Sequence, residues 1–215
     1  MKTKTEIFDT LFSSYPALEI CRGQIDAAFD LLLACAENRG LIMVCGNGGS
    51  AADCEHIVGE LMKGFCLSRP LNRFQKEGFA DIEGGREMAE KLQQGIRAVS
   101  LVSQTGLISA FANDVDPALV YAQQVYAYAG QTGDDVLWAL TTSGNSENTV
   151  NAVKAAKAAG IRSIAVTGQT GGAVKSFADV TVKLPALAPF EVQELTLPVY
   201  HALCAALEAE LFGMQ

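Results

Sequence analysis

Five short, largely apolar runs that alternate with helical segments constrain the fold of this chain more than any other feature. The run at 41–45 is wholly apolar and is followed by Gly46, as is typical of a strand buried on both faces. Further apolar runs lie at 98–102, 136–140, 163–166 and 180–184. Apolar residues recur with helical spacing at 50–64, 146–159 and 192–211. This alternation predicts an α/β fold of three layers, a doubly wound, mostly parallel sheet of about five strands with helices on both faces.

Two segments lie outside this alternation. Residues 4–37 have apolar side chains every three or four positions, interrupted at Pro16, which suits the first turn of a second helix. We therefore expect N-terminal helices within residues 1–38. Residues 67–94 are charged and irregular, and they predict an insertion or a lid. A length of 215 residues suits one domain over 1–215.

Composition excludes several classes of protein. There are 24 acidic and 16 basic residues, a net charge of -8, and no basic stretch, so we expect no nucleic-acid partner. No continuous apolar run approaches the ~20 residues that span a bilayer, and the first residues do not resemble a secretory signal, so we expect no membrane partner. The six cysteines show no CxxC pairing, which fits reduced thiols in a cytoplasmic protein.

A glycine-rich loop directly follows the first strand. Asn47, Gly48, Gly49 and Ser50 come after Gly46 and open a helix, where free N–H groups and the helix dipole attract anions. A tight strand-to-helix turn needs one or two glycines, whereas this loop has three together with Asn and Ser. The pattern favours a ligand loop, and it matches neither a dinucleotide fingerprint nor a Walker loop.

A second loop of this kind follows the third strand. It places four hydroxyl groups around Gly144 at the start of a helix, on Thr141, Thr142, Ser143 and Ser146. Helix capping would explain one of these hydroxyls. A phosphate cradle would explain them together, since hydroxyls and backbone N–H groups are its natural donors.

The two histidines form part of a third group. His56 and Glu60 are four residues apart on one helix face, which suits two ligands of one metal or a base and its partner. Gln193 and His201 are eight residues apart, about 12 Å along a continuous helix. They share a site only if long side chains lean together or if they come from different subunits. The alternative for either histidine is a half-buried structural side chain.

Together these residues resemble the SIS (sugar isomerase) domain family, and within it the phosphoheptose isomerases. The resemblance runs over nearly the whole chain, with 67–94 matching poorly, and it implies a single flavodoxin-like SIS domain. It further implies zinc bound by His56, Glu60, Gln193 and His201, with Glu60 and His201 as the acid–base pair. Asn113 and Asp114 correspond to residues that contact substrate in the family.

The resemblance also implies a reaction and an assembly. The family converts sedoheptulose 7-phosphate to D-glycero-D-manno-heptose 7-phosphate through an enediol or enediolate, in tetramers with sites between subunits. This chain departs from the family pattern at Thr141, at Phe190 and Glu191, and at Gly64, where the family has Ser, Asp, Arg and Arg. These departures leave the identity of the sugar open.

Two other functions stay open at this point. Some SIS domains bind a sugar phosphate without catalysis, as regulators or in association with the bacterial replication initiator. That group typically lacks the Glu and the C-terminal His, which this chain has as Glu60 and His201. The second possibility is an isomerase of another phosphorylated sugar.

Overall fold

The computed structural model describes residues 2–130 and 134–213. Its sheet has five parallel strands in the order β2-β1-β3-β4-β5, where β1 is Ile42–Gly46, β2 Ala98–Ser100, β3 Val136–Thr141, β4 Arg162–Thr167 and β5 Val180–Lys183. The predicted α/β fold is confirmed. The predicted strand at 98–102 is too long, because Leu101–Ser103 forms a 3₁₀ turn. Leu101 is fully buried in that turn, so its apolar character does not distinguish a turn from a strand.

Nine α-helices are present in the described part of the chain. They are α1 Lys4–Ser14, α2 Arg22–Glu37, α3 Gly49–Met62, α4 Arg73–Glu77, α5 Gly85–Lys91, α6 Thr105–Asp114, α7 Val120–Tyr128, α8 Glu147–Ala158 and α9 Pro189–Phe212. Pro16 opens a 3₁₀ segment, Pro16–Cys21, and α2 begins only after it. The two predicted N-terminal helices are therefore present, with a tighter turn between them.

Helices cover both faces of the sheet, because the apolar side chains of β1 point alternately to one face and the other. Ile42 and Val44 join the core formed with α1, α2, α3 and α9. Met43 and Cys45 join the opposite core, formed with α7 and α8. Since successive side chains of a strand point to opposite faces, a continuous apolar run fills two cores at once.

The last helix, α9, is long and apolar enough on average to span a membrane. It packs against α1, α2 and α3, however, and side chains such as Val199, Leu203 and Leu207 are fully buried in the core. Helices in the core of a globular protein have this composition too, so the length and composition of α9 are weak indications of a span.

Residues 67–94 leave the sheet between α3 and β2. They contain α4 and α5, which are joined by an ion pair between Lys76 and Glu90. An isolated antiparallel bridge between Pro70 and Gln93 closes the base of the segment. The segment thus departs from the sheet and returns to it with its two ends side by side, and its role as a lid stays a prediction.

The strand order fixes where a ligand can bind. β1 connects to β2 on one side of it in the sheet and β3 connects to β4 on the opposite side, so the connections leave β1 and β3 in opposite directions. In open α/β sheets such a switch point forms a crevice beyond the carboxyl ends of the strands. The two loops singled out in the sequence follow β1 and β3.

Candidate active site

The first loop is tightly folded between β1 and α3. A Cβ atom at Gly46 would lie 2.9 Å from both the Cβ and the carbonyl oxygen of Ser50, so this position requires glycine. Gly48 has a φ of 57°, in the region that favours glycine. The loop therefore directs the first N–H groups of α3 into the crevice, where they are available to an anion.

The second loop has hydroxyl groups that its own structure leaves free. Gly144 has a φ of 71°, and a Cβ atom there would lie 2.4 Å from the carbonyl oxygen of Gly171. Ser146 precedes α8 but makes no capping bond, and across residues 2–130 and 134–213 no hydrogen bond engages the hydroxyl of Thr142. Thr141 Oγ1 is buried without a partner. Capping therefore accounts for none of these three hydroxyls.

A pair of asparagines joins the two loops. Asn47 Nδ2 donates to Asn148 Oδ1 at 2.8 Å, and Asn148 Nδ2 donates back to Asn47 Oδ1 at 2.9 Å. The Tyr121 hydroxyl fixes the same loop by donating to the carbonyl oxygen of Gly46 at 2.7 Å. The N-termini of α3 and α8 therefore lie side by side, and together they suit a phosphate group.

Glu60 and the two histidines meet on the face of the sheet that carries α3 and α9. His56 Nε2 lies 3.1 Å from Glu60 Oε1, and the ring centroids of His56 and His201 are 5.0 Å apart. Lys63 Nζ donates to the other carboxylate oxygen of Glu60 at 3.3 Å. His201 Nε2 is buried without a hydrogen-bond partner. Burial lowers the pKa of His201, so this ring is neutral at neutral pH.

Gln193 lies near the start of α3, beside the glycine loop and one turn or more before His56. A Cβ atom on Gly49 would lie 2.7 Å from Gln193 Nε2, so this side chain covers the first loop. Because Gln193 meets Gly49 while His201 meets His56, α9 runs alongside α3 in the same direction. The structure thus brings His56, Glu60 and His201 together and places Gln193 beside the glycine loop.

The metal predicted from the family resemblance needs three or four converging donors. Two imidazoles and a carboxylate are suitable donors for Zn²⁺, and the unpartnered Nε2 of His201 next to His56 fits such a site. Within the described residues, however, no three His, Cys, Asp or Glu side chains are gathered closely enough to bind a metal. His56 Nε2 and Glu60 Oε1 are instead within hydrogen-bonding distance of each other. The side chains of His56, Glu60 and His201 are therefore of the types that bind Zn²⁺, while in this structure His56 and Glu60 are hydrogen-bonded to each other.

Asn113 and Asp114 belong to α6, which follows β2 rather than β1 or β3. They end α6 with exposed side chains, and Asn113 Nδ2 donates to Asp114 Oδ1 at 2.8 Å. In the part of the chain that the structure describes, no hydrogen bond joins either residue to the residues of the loops. Their predicted contact with substrate stays a prediction.

Sequence reasoning missed several residues that order this site. Nothing in the sequence pairs Asn148 with Asn47, 101 positions away. The Tyr200 hydroxyl lies 2.9 Å from His56 Nδ1 and 3.3 Å from Asp53 Oδ1. Tyr200 belongs to an apolar helix pattern, so its sequence context indicated only a core position.

Comparisons with known proteins agree with this geometry. The sequence profile of the SIS domain family matches residues 17–76 and 77–168. The chain is 36% identical to the phosphoheptose isomerase of Laribacter hongkongensis over 92% of this chain and 89% of that protein. It is 34% identical to the phosphoheptose isomerase of Methylibium petroleiphilum over 100% of this chain and 96% of that protein.

A solved structure supports the same assignment. Phosphoheptose isomerase GmhA from Neisseria gonorrhoeae superposes with a TM-score of 0.71 at 30% identity, covering 93% of this chain and 94% of that chain. Together with the family profile and the sequence relatives, this structure shows that the chain belongs to the SIS domain family, in the group of the phosphoheptose isomerases.

Proposed function

We propose that this chain is an aldose–ketose isomerase that converts sedoheptulose 7-phosphate to D-glycero-D-manno-heptose 7-phosphate. The observation that carries the proposal is the placement of Glu60 and His201 on α3 and α9, the helices that also border the glycine loop. The names of the relatives support the substrate, since they are phosphoheptose isomerases. A non-catalytic sugar-phosphate module is not favoured, because Glu60 and His201 meet here around His56.

The phosphate group of the substrate would bind at the paired loops. The N-termini of α3 and α8 offer N–H groups, and the unengaged hydroxyls of Thr141, Thr142 and Ser146 offer further donors. Ser143 is exposed and completes this set. Asn47, Gly48, Gly49 and Ser50 form the opposite wall, and Gln193 covers it. This site fixes one end of the sugar and leaves the other end for chemistry.

The proton transfer itself needs a base for carbon and a group for the oxygens. We assign Glu60 to take the proton from C1 of the ketose and to return it to C2 of the enediolate. His201 is neutral and its Nε2 has no protein partner, so it can exchange a proton with the substrate oxygens. Glu60 must first release His56 or Lys63, which bind its two oxygens.

Zinc and assembly belong to this proposal. His56, Glu60, Gln193 and His201 would hold Zn²⁺, which when bound would polarise the carbonyl group of the sugar. The family resemblance supports a homotetramer with sites between subunits, and the exposed side chains of Asn113 and Asp114 are available to a neighbouring subunit. A phosphorylated sugar substrate is consistent with a cytoplasmic enzyme.

The test is turnover of sedoheptulose 7-phosphate in heavy water, followed by proton NMR with and without zinc. We expect the aldose to form and solvent deuterium to enter at the reacting carbon, with both lost in Glu60→Gln and His201→Ala. Glu55→Gln is a matched control on α3, because Glu55 is exposed and its carboxylate accepts from Ser103. Protection against heat by the sugar phosphate without turnover would instead support a binding module.

A further inference from the structure

The hydroxyl of Tyr200 lies between two groups that compete for its single proton. It is 2.9 Å from His56 Nδ1 and 3.3 Å from Asp53 Oδ1. Tyr200 is 1% exposed, and its ring packs edge-on against His56 at a centroid distance of 5.5 Å. The other ring nitrogen of His56, Nε2, faces Glu60. Asp53, Tyr200, His56 and Glu60 therefore form one continuous row of polar groups.

Hydrogen-bond chemistry allows two arrangements of this row with a neutral His56. In the first, Nε2–H donates to the Glu60 carboxylate, so Nδ1 bears a lone pair and accepts from the Tyr200 hydroxyl. In the second, the ring proton is on Nδ1 and is donated to the Tyr200 oxygen, while the Tyr200 hydroxyl donates to Asp53. The second arrangement exposes a lone pair on Nε2, which is compatible with a cation beside Glu60.

We propose that Tyr200 and Asp53 are positioning residues that select the tautomer of His56, so that the Nε2 atom can alternate between a hydrogen-bond donor and a metal ligand. The inference rests on the proposed function in that it assigns His56 to the same site. The proton count is unchanged between the two arrangements: the ring loses the proton on Nε2 to solvent and gains one from solvent on Nδ1. The Tyr200 hydroxyl keeps its proton and rotates from His56 to Asp53.

The position of Asp53 distinguishes this arrangement from simple packing. A tyrosine ring that only filled space would need no carboxylate behind its hydroxyl, yet Asp53 is half-buried and burial raises the pKa of its carboxyl. Placing a carboxylate in such a site costs free energy unless it receives a hydrogen bond. A donated N–H on the second ring nitrogen is also how metal-binding histidines are generally oriented, and loss of that partner typically weakens metal binding about 10–100-fold.

The experiment measures Zn²⁺ affinity by competition with a chelator and the tautomer of His56 by ¹⁵N NMR, in the full-length protein without substrate. The chain has only two histidines, so His201→Ala assigns both ring spectra. In mildly alkaline buffer we expect the Nε2–H form of His56 in the metal-free protein and the Nδ1–H form with Zn²⁺. Tyr200→Phe should weaken Zn²⁺ binding about 10–100-fold.

A double-mutant cycle tests whether Tyr200 and Asp53 act on His56 as one unit, which we call the Tyr200–Asp53 relay. Tyr200→Phe and Asp53→Ala should each weaken Zn²⁺ binding, and the double variant should be no weaker than the Tyr200→Phe protein, because the two residues act as one unit. Asp53→Asn keeps an oxygen acceptor and should lose less than Asp53→Ala. Thr196→Val is the matched control: it removes a buried hydroxyl on α9 that donates to the Val192 carbonyl, and it should leave both the affinity and the His56 spectrum unchanged.

Several results would overturn the inference. These are wild-type affinity in Tyr200→Phe, multiplying losses in the double variant, one unchanged His56 tautomer with and without Zn²⁺, or no Zn²⁺ binding by the wild-type protein. If Tyr200→Phe does not fold, the comparison of Zn²⁺ affinity between Asp53→Ala and Asp53→Asn still tests the inference, and equal losses in the two variants would overturn it. Turnover of the sugar phosphate alongside any of these results would overturn the relay alone. The expected spectra without turnover would support the relay and overturn the proposed function.

Discussion

Replacing Glu208 by glutamine should destabilise this protein more than most single substitutions. Glu208 and Arg69 form an ion pair whose two side chains are fully buried, with Arg69 Nε donating to Glu208 Oε1 at 2.6 Å. The carboxylate also accepts from the backbone N–H groups of Phe65, Cys66 and Leu67 at 2.8, 2.6 and 2.9 Å. Each carboxylate oxygen therefore accepts two hydrogen bonds.

The magnitude follows from this geometry. In Glu208→Gln one oxygen becomes an NH₂ donor, so whichever way the amide turns, two donors lose their acceptor and the Arg69 charge is left buried without a counter-charge. Breaking a buried pair in this way costs about 3–5 kcal/mol. For a chain of this size about 1 kcal/mol lowers the melting temperature by 2–4 °C, so a fall of about 6–20 °C is expected.

The assay is thermal and urea unfolding at one fixed protein concentration, since assembly would make stability depend on concentration. Glu87→Gln is the control, because Glu87 and Lys91 form an ion pair whose side chains are 75% and 74% exposed. Such surface pairs contribute about 0–1 kcal/mol. If Glu208→Gln unfolds within about 1 kcal/mol of the control, the buried carboxylate does not hold the segment after α3 and the reasoning is wrong.

Three further predictions concern the loops and the histidines. Gly144→Ala should lower the free energy of unfolding by about 1–3 kcal/mol in urea melts, because its Cβ atom would meet Gly171, whereas Gly23→Ala on the open surface of α2 should raise it by about 0.5–1 kcal/mol. Asn148→Ala should raise the KM for sugar phosphate more than it lowers kcat, because it unlinks the two loops; a change in kcat alone would contradict this. Burial lowers the native pKa of His201, so the unfolded chain binds this proton more readily and stability should fall as the pH drops below about 6.5, a fall that His201→Ala should reduce.

The sheet could be predicted from the sequence because a buried parallel strand is a continuous apolar run. The predicted strand at 136–140 and the observed β3, Val136–Thr141, differ by one residue. The short helices α4 and α5 could not be predicted in the same way. Arg73–Glu77 buries no side chain at all, so it has no apolar stripe, and helical spacing has nothing to repeat.

The two loops that follow β1 and β3 were also visible in the sequence, because each is built from neighbouring residues after a strand. The contacts that order them were not. Asn47 meets Asn148, Asp53 meets Tyr200 and Arg69 meets Glu208 across 101, 147 and 139 positions. Such pairs follow from how α3, α8 and α9 are placed on the sheet, and that placement is a property of the whole fold.

The contrast between Glu208 and Glu60 bears on the proposed chemistry. The fully buried carboxylate of Glu208 is held by four donors, whereas the partners of Glu60, His56 and Lys63, have side chains 44% and 59% exposed, so these contacts are weak and easily exchanged. Yet Arg69, fixed by Glu208, donates to the carbonyl oxygens of Leu61 and Glu60 at 2.8 and 3.3 Å. The backbone of Glu60 is therefore fixed while its carboxylate can exchange partners. A group that must take a proton from carbon and return it one atom away needs this combination, a rigid support under a side chain that can change its hydrogen bonds.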